Sequence, residues 1–162
     1  MILLARIDDR LIHGQVTVGW SRFLNIEKIV VISDEYAEDE MQRQFLAFAV
    51  PESTEFDLCS VADAAKNLSD NNYTKKRTLL LSASPQEYRA LVLEHKVDLK
   101  EINVGGQRYE DGKHVVCEGV RLTDKALEDL KALSDAGVKI EVRLIPSNEK
   151  KDLFELFEAA QK

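Results

Sequence analysis

Cysteine is nearly absent from this chain: its 162 residues hold two, Cys59 and Cys117, with no CxxC pair and no histidine at metal-ligand spacing. That argues against a disulfide framework and a zinc site, and both thiols read as buried apolar filler. Basic charge is in deficit too, with 22 Lys and Arg against 29 Asp and Glu and a formal net charge of -7. Such a balance opposes non-specific attraction to nucleic acid or to an anionic membrane surface, so any cationic contact patch must be local. No uncharged apolar run approaches the roughly 20 residues of a membrane span. A basic region ahead of an apolar signal core is also missing from the start, so a cytoplasmic protein is expected. Neither a GxGxxG fingerprint nor a GxxxxGK loop occurs, which leaves a nucleotide-binding module without support. Repeats, linkers and low-complexity tracts are lacking as well, so residues 1–162 read as one domain.

What is there is ordinary globular material, 44% hydrophobic and 31% charged, enough to bury a core. Short runs rich in Val, Ile and Leu recur with helical segments between them, which is the pattern of an open α/β sheet with helices on both faces. The expected strands are Ile2–Ile7, Lys28–Ile32, Glu55–Cys59, Arg77–Leu81, Glu101–Val104 and Val138–Leu144. Asp34–Val50 reads as a helix stopped by Pro51, and Ser60 caps a helix from Val61. Ser84-Pro85 opens another, Thr123 caps Asp124–Ala136, Gly137 ends it, and Asn148–Gln161 reads as a C-terminal amphipathic helix. The segment from Gln107 to Val120 reads as a loop with a short edge strand. Trp20 and Phe23 on the first helix read as core packing.

Chemistry concentrates where the first strand ends. From Arg6 to Gln15 an apolar run gives way to Asp8, Asp9, Arg10 and His13, and a helical spacing resumes at Val16. His13 therefore sits on a turn leading into a helix N-terminus, where unpaired amides favour an anion. A neutral imidazole is available near working pH as a nucleophile without a strong activating base, so His13 can hold a phosphoryl group. Arg10 offers a planar fork for phosphate oxygens, and the amides near Gly14 and Gln15 add donors. Either Asp8 or Asp9 can orient Arg10 or the imidazole ring, and the sequence does not say which. Arg6 is costly in a buried strand unless paired, and projects either to the same pocket or to the sheet edge. His95, beside Lys96 at a helix end, and His114, in the polar loop, read as surface residues. Local cations such as Arg6, Arg10 and Arg22 are the candidates for docking a partner.

These residues resemble a known family. RIDDRLIHGQVTVGW, residues 6–20, is similar to the phosphorylation loop of the IIB components of the mannose/fructose/sorbose family of bacterial sugar phosphotransferase systems. The likeness continues through IVVISDEYAEDEMQRQFLAFAVP, INVGG, GVRLT and GVKIEVRLIP, over nearly the whole chain. The length resembles a free-standing IIB unit. The resemblance implies an open, mostly parallel sheet of six to seven strands with an antiparallel edge. It implies a phosphotransferase, in which Nδ1 of His13 takes phosphate from a IIA phosphohistidine and passes it to a sugar presented by the membrane IIC and IID components. Arg10 would stabilise the phosphate and Asp9 would orient the site, within a surround of Arg6, Asp8, Gly14 and Gln15. Asn103, Gly105 and Gly106 would form a second wall. No cofactor, metal or nucleic acid is implied, and the protein would be cytoplasmic, held to the inner membrane face through the permease. Gln107 departs from the methionine of many relatives. The identity of the sugar is not legible, and a homo-oligomer is left open because an exposed apolar helix face reads like a core face. The rival from another class is a receiver-like signalling domain, with Asp8, Asp9, Asp57 and Ser82 near strand ends; Asp57 inside its strand speaks against it.

Overall fold

The computed structural model describes residues 1–162. Its main sheet is built from β1 (Ile2–Ile7), β2 (Lys28–Ile32), β3 (Glu55–Cys59), β4 (Thr78–Ser82), β5 (Glu101–Val104), β9 (Lys139–Val142) and β10 (Lys151–Asp152), in the order β10-β9-β5-β1-β4-β2-β3. Every neighbouring pair is parallel except β9 with β10. The seven strands with one antiparallel edge match the expected architecture. The segment expected to be a loop with one edge strand instead forms a small second sheet of β6 (Gln107–Arg108), β7 (His114–Cys117) and β8 (Val120–Leu122). Too short and polar for a visible period-2 pattern, these strands take their stability from pairing and from burial of Val116, Val120 and Leu122 against the main core.

Helices cover both faces. α1 runs through π-helical turns at Gln15–Trp20 into an α-helical end at Ser21–Phe23. α2 spans Glu40–Ala49, α3 Val61–Ser69, α5 Asp124–Asp135 and α6 Leu153–Ala160. α4 begins at Pro85–Arg89 and widens to π-type at Ala90–Glu94. The helix expected from Asp34 starts only at Glu40, because Asp39 accepts the Gln42 amide as its N-cap while residues 34–38 form turns tied to Ser33. Ser60 and Thr123 cap α3 and α5 as expected, and Gly137 takes the left-handed φ of 95° after α5.

The alternation of β1 sends successive side chains to two cores. Leu4 joins Leu79, Leu81, Ile29 and Val31 beneath α1 and α2, whereas Ala5 and Ile7 join Leu80, Ile102 and Ile140 beneath the other helices. Arg6 takes its turn on the α1 face and is therefore delivered into the interior. Trp20 is buried as expected, but Phe23 is 65% exposed, because α1 turns only one side to the sheet. Cys59 is buried and Cys117 only half-buried. No helix is long and apolar enough to cross a membrane.

Candidate active site

β1 lies between β4 and β5, and the connection from β4 to β5 passes over it. The loops after these three parallel strands consequently meet at one end of the sheet, where such folds hold ligands. The amide of Asp8 donates to Ser82 O and that of Asp9 to Gly106 O, both at 2.9 Å, while Gly105 N donates to Ile7 O at 2.7 Å. The three loops are thus knitted together by backbone alone.

Asp8 ends the strand and starts the turn. Its Oδ1 accepts the Arg10 amide at 3.1 Å and its carbonyl accepts the Leu11 amide at 3.0 Å. Leu11 then adopts φ 57°, rare for a branched side chain, and is held there by burial of Leu11 and Ile12 in the core beneath α1. This left-handed step brings His13 back over Asp8, with Nε2 2.9 Å from Asp8 Oδ2. The ring N–H points away from the line to the oxygen, so the contact is a close electrostatic one without a well-directed hydrogen bond. The His13 carbonyl accepts the amides of Val16 and Thr17 at 2.9 Å, which sets the imidazole at the N-terminal end of α1.

The other partner of Asp8 is Arg6. Both are completely buried, and Arg6 Nη2 donates to Asp8 Oδ2 at 2.9 Å. The guanidinium also donates to Asn103 Oδ1 at 2.5 Å and to the carbonyls of Arg143 at 2.9 Å and Leu144 at 3.1 Å. Its carbon lies 5.3 Å from the centre of the Trp20 ring, and that of Arg143 lies 4.9 Å from it. Burial lowers the pKa of Arg6, opposed by Asp8 and Glu141. Burial raises that of Asp8, but His13, Arg6 and the Arg10 amide outweigh it and hold the carboxylate at about 2. Asp8 is therefore an anion at any working pH, wedged between a permanent cation and an imidazole.

This geometry corrects several expectations. Asp8, not Asp9, contacts His13; Asp9 instead accepts from the Arg108 amide at 2.7 Å and from its Nη2 at 2.9 Å. Arg6, expected in the phosphate surround and as a docking cation, has no exposed surface, and its four terminal N–H contacts are taken by Asp8, Asn103 and two carbonyls. Asn103, 1% exposed, is likewise engaged, bridging Arg6 to Glu141. Gly105 is required by Arg6: a Cβ there would fall inside the guanidinium. A Cβ on Gly106 would meet the Arg108 side chain. The expected second wall thus braces the loop from behind. Exposed at the site are Arg10, whose Nη2 donates to Gln15 Oε1 at 2.9 Å, together with Gly14, and His13 is 15% exposed. His114 lies on β7, 2.6 Å from Asp124, and His95 ends α4, away from this loop.

Sequence reasoning missed Arg108, Glu141 and Arg143. Nothing local marks Arg108, since it is brought to Asp9 across 99 residues. Arg143 and Glu141 do carry a signal, being charged residues within an otherwise apolar strand run.

The site and fold define a class. The family model described as the PTS system sorbose subfamily IIB component matches residues 2–162. The chain belongs to this family, as a IIB component of the sugar phosphotransferase system. It is 34% identical over 155 residues to the PTS system fructose-specific EIIB component of Bacillus subtilis (strain 168), covering 96% of this chain and 94% of that protein. It is 34% identical over 162 residues to the PTS system mannose-specific EIIAB component of Escherichia coli (strain K12), of which it spans 50%. Among solved structures, the IIBSor domain of the sorbose permease from Klebsiella pneumoniae superimposes with a TM-score of 0.88 at 28% identity, over 98% of this chain and 97% of that one.

Proposed function

We propose that His13 is the phosphoryl acceptor and donor of this IIB component. The observation that carries the reading is the 2.9 Å approach of Asp8 Oδ2 to Nε2. A carboxylate there favours the Nε2–H tautomer, so the lone pair resides on Nδ1, the nitrogen left to attack phosphorus. In the first transfer the N–P bond of a IIA phosphohistidine breaks as the Nδ1–P bond forms, and the ring gains a positive charge that Asp8 faces. In the second, the Nδ1–P bond breaks as a sugar hydroxyl oxygen takes the phosphorus and releases its proton to solvent, and the ring returns to neutral. The transition state of either step is loose and charge-dispersed, so positioning and donors matter most. Arg10, on the same turn and 42% exposed, is placed to supply them, with the Gly14 and Gln15 amides at the start of α1.

The E. coli relative, named an EIIAB component, supports a IIA protein as donor, and the family supports a membrane permease as the presenter of sugar. The protein itself would work at the cytoplasmic face. Cysteine is the other nucleophile to consider. Burial pushes the Cys59 thiol up to about 11 and also raises that of Cys117, which disfavours the thiolate at working pH. A receiver-like switch is disfavoured because Asp57 lies within β3 and accepts a hydrogen bond from Tyr73. The test is transfer from a phosphorylated IIA followed by hydrolysis: a phosphohistidine survives alkali and is lost in acid. An alkali-labile adduct, or undiminished labelling of His13→Ala, would contradict the reading.

A further inference from the structure

The opposite end of β1 holds a cavity that the phosphoryl chemistry does not use. β1 pairs with β4 from Ile2 to Ile7, but with β5 only at Arg6–Asn103 and Ile7–Val104. Continued in the same register, Ala5 would face Ile102 and Leu4 would face Glu101; instead the strands part. The space between them, α3 and the segment after α4 is a cavity of about 560 Å3, within the range of small-molecule sites.

Its lining has two characters. Ile2, Ala5, Leu68, Val97 and Leu99 supply an apolar floor. The rim carries His95, Lys96, Asp98, Lys100 and Glu101. Both acids are already paired, Asp98 with Lys100 at 2.9 Å and Glu101 with Lys150 at 2.7 Å. Lys96 has no carboxylate partner: its Nζ donates to the Leu93 carbonyl at 2.8 Å, leaving two N–H groups. Its backbone is held at φ 59°, where the chain turns back after α4. An uncompensated cation above an apolar floor suits an anion with an apolar body.

The cavity also reaches the other site. Asn103 is among its lining residues, and Asn103 Oδ1 accepts from Arg6, which donates to the Asp8 oxygen that contacts His13. We propose that this cavity binds a small monocarboxylate with an alkyl or aromatic body, and that its occupancy alters the setting of His13 through Asn103, Arg6 and Asp8. The binding half stands apart from the phosphoryl reading, because its test involves no phosphate.

Octanoate serves as the probe, with octylamine and octanol as charge controls, followed by calorimetry and by proton–nitrogen correlation spectra of the His13 ring. One-to-one saturable binding of octanoate is expected, with octylamine and octanol about tenfold weaker or more. Leu68→Trp, which fills the floor, should abolish binding, and Lys96→Glu, at an exposed position that leaves packing intact, should weaken it about tenfold. The His13 ring signals should move along the same saturation curve. Absence of saturable octanoate binding into the millimolar range, equal binding of octylamine, or Lys96→Glu binding like the parent overturns the site. His13 signals that stay fixed at saturating octanoate overturn the coupling.

Discussion

Replacing Asp8 by Asn probes the network at its centre. The carboxylate is fully buried and its Oδ2 lies 2.9 Å from both Arg6 and His13. An asparagine oxygen can keep the turn by accepting the Arg10 amide, now at 3.1 Å. Its amide group would then confront two donors where an anion belongs. Leaving one partner of a buried ion pair uncompensated costs about 3–5 kcal/mol, and retention of the turn places this case near 3 kcal/mol. At roughly 2–4 °C per kcal/mol for a chain of this size, Tm should fall by about 6–12 °C. The side-chain amide, donating toward Nε2, would favour the Nδ1–H tautomer, which has no lone pair on the attacking nitrogen. Transfer to His13 should then slow on the order of 10,000-fold, as for a catalytic histidine held in the wrong tautomer. Thermal denaturation by circular dichroism and rapid-quench transfer from phosphorylated IIA measure the two effects. A variant that melts with the parent and accepts phosphate at the parent rate would refute the reasoning.

Four further outcomes follow from the same geometry. Asp8 is depressed from the ordinary carboxylate range to about 2, so its contribution to stability is complete above about pH 4 and is lost as pH falls toward 2; this amounts to about 2 kcal/mol, read from urea midpoints across that window. Gly105→Ala should destabilise by about 1–3 kcal/mol, because the added methyl meets the immobile Arg6 guanidinium. Gly14→Ala, where a Cβ meets nothing within 4 Å and the backbone is already helical, should leave stability unchanged or raise it by up to about 1 kcal/mol; equal losses in the two glycine variants, by thermal melting, would contradict this contrast. Arg108→Ala breaks an ion pair in which Arg108 is 44% exposed, so the unfolding free energy should change by less than about 1 kcal/mol in denaturant titration.

How far the sequence could be read depends on the range of the interactions involved. β1, β2, β3 and β5 have the bounds expected from their apolar runs, because each ends in buried residues followed directly by a polar or glycine turn residue, Asp8, Ser33, Ser60 or Gly105. The caps at Ser60 and Thr123 and the stop at Gly137 are likewise local signals. The second sheet was hidden because two- to four-residue strands carry no period, and their pairing partners are fixed only after folding. In the site, the loop around His13 was visible as a break in hydrophobicity, but the division of labour between Asp8 and Asp9 was not. It is decided by contacts with Arg6, two residues away on the same strand face, and with Arg108, which arrives on β6. The surroundings of Asn103 and Gly105 are not legible for a related reason: a glycine next to a strand signals a close approach, and only the fold reveals that the approaching group is the protein's own arginine.

The most direct test of the central claim is to locate the phosphorus. Protein phosphorylated by its IIA donor and kept alkaline should show, by phosphorus and nitrogen NMR, one phosphate bonded to Nδ1 of His13 and a proton retained on Nε2. Phosphate on Nε2, on His95 or His114, or on either cysteine would contradict the account.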